Sequence, residues 1–319
     1  MSIGEFDLIG KYFTRDVRRA RLGIGDDCAL LAPAPGMQLA VSSDMLVEGR
    51  HFLSTVAPDR LGHKALAVNL SDLAACGAQP LAFTLALALP RADETLLEGF
   101  ARGLFALADE QGIELVGGDT TQGPLNICIT VIGEVPPDGA LLRSGARVGD
   151  ELYVSGTVGD ARLALEVFRG TRSLDAAPFD VVRKAMEQPQ PRVALGLALR
   201  GLASSAIDVS DGLLGDLGHV LRRSGVGATV EVDAVPRSAV LAAQPADLQR
   251  ECTLAGGDDY ELIFTAAPVD ADRVHAAGRA AGVRVTRIGR IEAGKALVLV
   301  DAAGRRVENH FGSFDHFRS

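Results

Sequence analysis

At 319 residues the chain is long enough to bury a large core and to form two domains rather than one. Its net charge of −9 excludes a nucleic-acid partner gripped through the phosphate backbone, because that needs a basic face. The four cysteines, Cys28, Cys76, Cys128 and Cys252, form no CxxC pair, so a disulfide framework and a zinc site are both unexpected and a reducing cytoplasm fits best.

The N-terminal MSIGEFDLIGKYF has no apolar run behind a basic stretch, so no signal peptide is expected. The pattern then predicts a strand at QLAVSSD, a helix from about Pro58 to Ala75, and a strand at PLAFTLALAL, whose apolar run is too short to span a bilayer. An amphipathic helix follows from about Asp93 to Gln111, with Asp93 as its N-cap and Gly112 as its stop. After it come strands IELVGGD and NICITVIGEV, and then VPPDGALL, whose turn formers mark a boundary between domains 1–137 and 138–319. In the second half, ELYVSGTVGDARLALEVF reads as strand, glycine loop and helix, the loop being a candidate anion site at a helix N-terminus. The strand SAIDVS feeds the helix DGLLGDLGHVLRRSG, for which Ser210 or Asp211 is the expected cap. GGDDYELIFTA is a glycine turn leading into a strand, and HAAGRAAGVRVTRIGRI a helix, turn and strand. Helix and strand alternate, so the fold class is α/β (α+β) in two layered units.

Nine aspartates lie on six short segments: GIGDDCA (Asp26, Asp27), SSDMLVEG (Asp44), NLSDLAACG (Asp72), GGDTTQG (Asp119), DVSDG (Asp208, Asp211) and GGDDYEL (Asp258, Asp259). Any one of them reads equally as a solvated turn. Several end apolar strand-like runs, and acids delivered there to one cleft form a cage for hard, oxygen-preferring cations. Magnesium takes only one or two carboxylates per ion and completes its shell with phosphate and water, so this many acids imply several ions. That suits two phosphate-bearing molecules that would otherwise repel each other, such as ATP and a phosphorylated acceptor. A phosphate monoester, with a second pKa of about 6, is already a nucleophile and needs no general base. Arg143 can grip a phosphate in bidentate fashion or make a surface ion pair. His51 reads as a packed or solvated residue, and Lys64 as part of a solvated helix face. The chain has no GxxxxGK[ST], HExxH, GxSxG or kinase HRD motif. A paired-carboxylate hydrolase fits poorly, since it needs one acid of raised pKa.

The segments GIGDDCALL, SSDMLVEGRHF, KALAVNLSDLAACGAQP, GGDTTQGPL, LLRSGARVGD, SAIDVSDGLLGDLGH and AGGDDYEL, in this order, closely resemble the thiamine-monophosphate kinase family. That family is a branch of the aminoimidazole-ribotide synthetase superfamily, and the likeness runs from GEFDLI near residue 4 to FDHF near residue 314. The resemblance implies two α/β domains, the first dimerising through its β-strands, and ATP in a cleft with several Mg²⁺ ions. It implies in-line transfer from ATP to thiamine monophosphate in a cytoplasmic homodimer, with no membrane or nucleic-acid partner. It assigns metal ligation to Asp27, Ser42, Ser43, Asp44, Asp72, Asp119, Asp208 and Asp211, and nucleotide contacts to Gly118, Asp119, Arg143 and Ser210. Asp72, Asp119 and Arg143 would be catalytic, and His51, Asp258 and Phe311 would contact substrate. Three positions depart from the family pattern: Ser43 stands for threonine, Asp258 for glutamate and Phe311 for tryptophan. No glycine-rich segment with a reactive Cys and a lysine precedes GIGDD, as in selenophosphate synthetase, and no C-terminal cysteine is present, as in the hydrogenase-maturation relatives. The alternatives are a non-catalytic Mg²⁺ and nucleotide-binding protein of this fold, or another ATP-dependent enzyme of the superfamily.

Overall fold

The computed structural model describes residues 4–312, and the FDHF segment lies outside the described residues. The chain divides into two compact units, Met1–Leu73 with Ala78–Asp138, and Ala74–Gly77 with Gly139–Ser319.

The first unit runs α1 (Glu5–Tyr12), β1 (Gln38–Val47), α2 (Pro58–Ala75), β2 (Gln79–Leu89), α3 (Glu94–Gln111), β3 (Glu114–Gln122) and β4 (Asn126–Val135). Its sheet has the order β1-β4-β2-β3, in which only β2 and β3 are parallel. Asp93 caps α3 as the sequence predicts, accepting the Leu96 N–H at 3.2 Å, and Gly112 ends it at φ 65°. Helices α2 and α3 cross at backbone contact. A methyl on Gly103 would lie 1.8 Å from the Asp59 carbonyl oxygen, and one on Gly62 2.0 Å from that of Phe100. Four consecutive residues of α2, Ala65 to Val68, are buried, so the helix is enclosed on every side. This corrects the expectation for Lys64, which is 2% exposed rather than solvated.

Alternation along the strands gives the sheet two unlike faces. Ile127, Ile129, Val131, Leu85 and Leu87 point into the core. On the opposite face Leu39, Val41 and Met45 of the edge strand β1 are 48%, 62% and 52% exposed, and Ser43 shares their row with Thr130 of β4.

The second unit contains β5 (Glu151–Ser155), α4 (Asp160–Phe168), α5 (Ala176–Glu187), α6 (Val193–Ala198), β6 (Ala203–Asp208), α7 (Leu213–Ser224) and β7 (Gly227–Glu231). It continues with α8 (Ala239–Ala242), α9 (Ala246–Ala255), β8 (Leu262–Ala266), α10 (Ala271–Ala280), β9 (Val285–Glu292), β10 (Leu297–Val300) and β11 (Arg306–Val307). The strand order is β11-β10-β7-β9-β5-β8-β6, and only β10 and β7 pair in parallel. A parallel-sheet rationale for acids at strand ends therefore does not apply here, although Asp208 does end β6. Leu213, Leu217, Val220 and Leu221 of α7 join the main core with Leu152, Ile207 and Ile288, while α4, α5, α8 and α9 enclose a second cluster around Leu163 and Leu241.

Candidate active site

In the first unit the acids come from a loop, two strands and a helix. Asp26 and Asp27 are exposed within a short turn closed by Arg21 N–H to Leu30 O at 2.8 Å and Leu30 N–H to Leu22 O at 3.0 Å. Ser42 and Asp44 alternate on the covered side of β1. There the Ser42 hydroxyl donates to Asp72 Oδ2 of α2 at 2.5 Å. Asn69, one turn before Asp72, is 1% exposed; its carboxamide oxygen accepts the Asp44 backbone N–H at 3.0 Å, and its Nδ2 donates to Ala65 O. The free edge of β1 is thereby tied to the helix that carries Asp72. Ser43 does not join this group: its hydroxyl pairs with Thr130 Oγ1 at 2.9 Å on the open face. Asp119 stands in the register row of Ala86, Cys128 and Met45, which is that same open face, and is exposed. Gly118 beside it has φ 151°, and a methyl there would fall 1.9 Å from the Leu85 carbonyl oxygen, so only glycine allows β3 to approach β2 so closely. His51 closes the turn after β1, its Nδ1 accepting the Val47 N–H at 3.0 Å, which puts the neutral ring's proton on Nε2.

In the second unit Asp208 is 4% exposed, and Ser210 and Asp211 are half-buried on the loop that follows β6. The structure corrects the expected cap: α7 begins after Gly212 at φ 123° with no capping side chain, and neither Ser210 nor Asp211 fills that role. Instead Oδ2 of buried Asp216 accepts the N–H groups of Ser210, Asp211 and Gly212, each at 3.1 Å. Burial, and then the Asp211 charge, push Asp216 up to about 7 against those three donors. The GGDDY loop runs alongside, with Asp258 N–H on Ser210 O and Tyr260 N–H on Val209 O, both at 2.8 Å. Asp258 and Tyr260 have φ of 71° and 54°, a left-handed backbone that non-glycine residues rarely adopt.

The glycine loop before α4 is not open to an external anion. Both carboxyl oxygens of Asp259 accept the Gly159 N–H, at 2.9 and 3.0 Å, so the acceptor at this helix N-terminus is the protein's own. Burial, with Asp160, Glu261 and Asp258 adding repulsion, holds Asp259 well above the usual carboxylate range. Arg143 is exposed, and its carbonyl accepts from Ser224 of α7. Partial desolvation, then the charges of Arg222, Arg143 and Arg223, lower His219 of α7 below the ordinary histidine value, with Asp211 opposing them. Phe311 packs on the edge of the main core of this unit and stacks on His310.

Among the described residues no three Asp, Glu, His or Cys side chains stand close enough to hold a metal ion by themselves. The donors present, carboxylates and a serine hydroxyl, are hard oxygens that fit magnesium, which takes one or two carboxylates and leaves other positions to phosphate and water. Sequence reasoning missed Asn69 and Asp216.

Residues 25–135 match the AIR synthase related protein, N-terminal domain, and residues 147–302 the corresponding C-terminal domain. Fold and acidic loops together define an AIR synthase related protein of two domains. Thiamine-monophosphate kinase of Salmonella typhimurium is 44% identical over 324 residues, covering 99% of this chain and 99% of its own. The crystal structure of thiamine-monophosphate kinase from Stenotrophomonas maltophilia K279a has a TM-score of 0.87 at 45% identity, covering 96% of this chain and 99% of that one. A structure described as AaThiL complexed with AMPPCP and TMP has a TM-score of 0.78 at 29% identity, covering 98% and 97%. The chain thus belongs to the thiamine-monophosphate kinase family.

Proposed function

We propose that the protein transfers the γ-phosphoryl group of ATP to the phosphate of thiamine monophosphate, giving ADP and thiamine diphosphate. The observation that carries this reading is the full-length identity to enzymes of that name, set on two units that each present acidic loops. A solved relative described as complexed with AMPPCP, a methylene analogue of ATP, and TMP supports the pairing of nucleotide and acceptor. An oxygen of the acceptor phosphate attacks the γ-phosphorus in line, and the bond to the β-phosphate oxygen breaks as ADP leaves. Magnesium, when bound, neutralises phosphate charge during that transfer. The residues that would hold such ions fall into separate sets: Asp27 on its loop, Ser42, Asp44 and Asp72 on the covered side of the first sheet, Ser43 and Asp119 on its open face, and Asp208 and Asp211 in the second unit. Arg143 has the fork geometry to grip a phosphate, and Gly118, Asp119 and Ser210 complete the nucleotide contacts. His51 donates from Nε2 to the substrate, and Asp258 and Phe311 are its other contacts. The test is chromatographic: thiamine diphosphate should appear only with both ATP and thiamine monophosphate present. Nucleotide binding without any product would favour the non-catalytic reading.

The oligomer in this reading is a homodimer. Leu39, Val41 and Met45 line one face of a sheet edge with nothing of the first unit over them, and such a row is the usual mark of a self-association surface. Val41→Glu should convert a dimer to a monomer in sedimentation at micromolar concentration. A wild-type protein that is already monomeric there sinks this assignment. No described helix is long and apolar enough to cross a membrane. We place the protein in the cytoplasm, a reading supported by four cysteines that form no disulfide among the described residues.

A further inference from the structure

We propose that Asp216 is a positioning residue for phosphoryl transfer: its carboxylate shapes the backbone of residues 210–212 and thereby aims Ser210 and Asp211. The inference rests on the kinase reading and extends it to a residue that touches neither substrate nor metal.

A helix leaves its first amide hydrogens without internal partners, and a side chain at the N-cap normally accepts one of them. Here the N-cap is Gly212, which has no side chain, and the acceptor comes from inside the helix. Asp216 reaches back with one oxygen to three successive N–H groups, all at or before the cap. Consecutive amides converging on one acceptor oxygen form a nest, a concavity that the acceptor stabilises. At 3% exposure Asp216 is shielded from bulk water, so solvent is a poor substitute for its oxygen.

On its other side the same loop is held by the GGDDY segment. A methyl on Gly257 would lie 2.3 Å from Ser210 O, and the Asp258 N–H bonds that oxygen. The loop is clamped twice, and Asp216 is one of the two clamps. Replacing its carboxyl leaves strand β6, helix α7 and the GGDDY contacts in place while loosening the backbone N–H groups of residues 210–212. That separates a positioning role from a general structural one. Partners that orient metal ligands from behind change metal affinity or activity by about ten- to a hundredfold when mutated.

Asp216→Asn keeps the size and one carbonyl oxygen but makes that oxygen a weaker acceptor for the three N–H groups. The Mg²⁺ concentration for half-maximal turnover should rise, or kcat fall, by about ten- to a hundredfold, with the thermal midpoint shifted no more than in a control. The control is Glu187→Gln, which alters a carboxylate of 3% exposure paired with Arg183 on α5 and should lower the midpoint without moving the Mg²⁺ dependence. Wild-type Mg²⁺ dependence and kcat in the Asp216 variant would overturn the proposal. So that a poorly folding variant does not decide the matter, amide exchange of residues 210–212 is measured on the metal-free wild type. Slow exchange is expected; exchange at the rate of an open loop would overturn the proposal too. Wild-type turnover with ATP and thiamine monophosphate tests the kinase reading separately, and the exchange result stands whichever way that assay comes out.

Discussion

Asp72→Asn should lower turnover by on the order of 10²–10³-fold while changing stability by about 1 kcal/mol or less. The substitution keeps the shape and the oxygen that accepts the Ser42 hydroxyl, and removes only the charge. If Asp72 balances positive charge around transferring phosphates, that charge is worth most in the transition state, and the loss appears in kcat. Ser42→Ala supplies the comparison, since it removes the 2.5 Å hydrogen bond and leaves the carboxylate. It should cost about tenfold or less. A purely structural pair would behave differently. Both variants would then lower the thermal midpoint alike and keep kcat within a fewfold of wild type, and that outcome would refute a catalytic Asp72.

The helices of the first unit were legible because their ends carry local chemistry. Asp93 and Gly112 bound α3 by hydrogen bonds that reach only a few residues. Acids beside small residues were legible for the same reason. What escaped were residues whose role depends on a distant partner. Asn69 lies in the apolar run ALAVNL, where an amide looks like an interruption; its meaning is the edge-strand N–H of Asp44, a contact the sequence does not announce. Asp216 follows the SDG turn at a spacing unlike that of a capping box, so its bonds to residues 210–212 could not be read from a pattern. Lys64 was misread because a charge on a helix suggests solvent, whereas α2 is surrounded. The order of the second sheet was hidden for a related reason: β6, β8 and β5 are neighbours although far apart in sequence, and strand pairing of that kind is settled by burial across the whole unit.

Thiamine monophosphate should be phosphorylated at a rate about 10³-fold or more above thiamine at equal concentration, because the two acceptors differ in what the protein must do for them. The phosphate of the monoester, with a second pKa of about 6, is largely ionised at neutral pH and attacks without losing a proton. The hydroxyl of thiamine is protonated there and needs a base. His51 is poorly suited to be that base. Its Nδ1 lone pair is engaged by the Val47 N–H, so in the neutral ring Nε2 carries the proton and acts as a donor. A donor there can serve a phosphate oxygen but cannot take the proton from an alcohol. The remaining candidates are the carboxylates proposed above as metal ligands, and a carboxylate holding Mg²⁺ would not be available as a base. Magnesium held by the acids would also attract and neutralise the phosphate of the monoester, an advantage the alcohol lacks. ADP release measured with each acceptor decides the question. Comparable rates would mean that an unrecognised base operates on the hydroxyl, and would sink the assignment of a kinase whose acceptor is a phosphate.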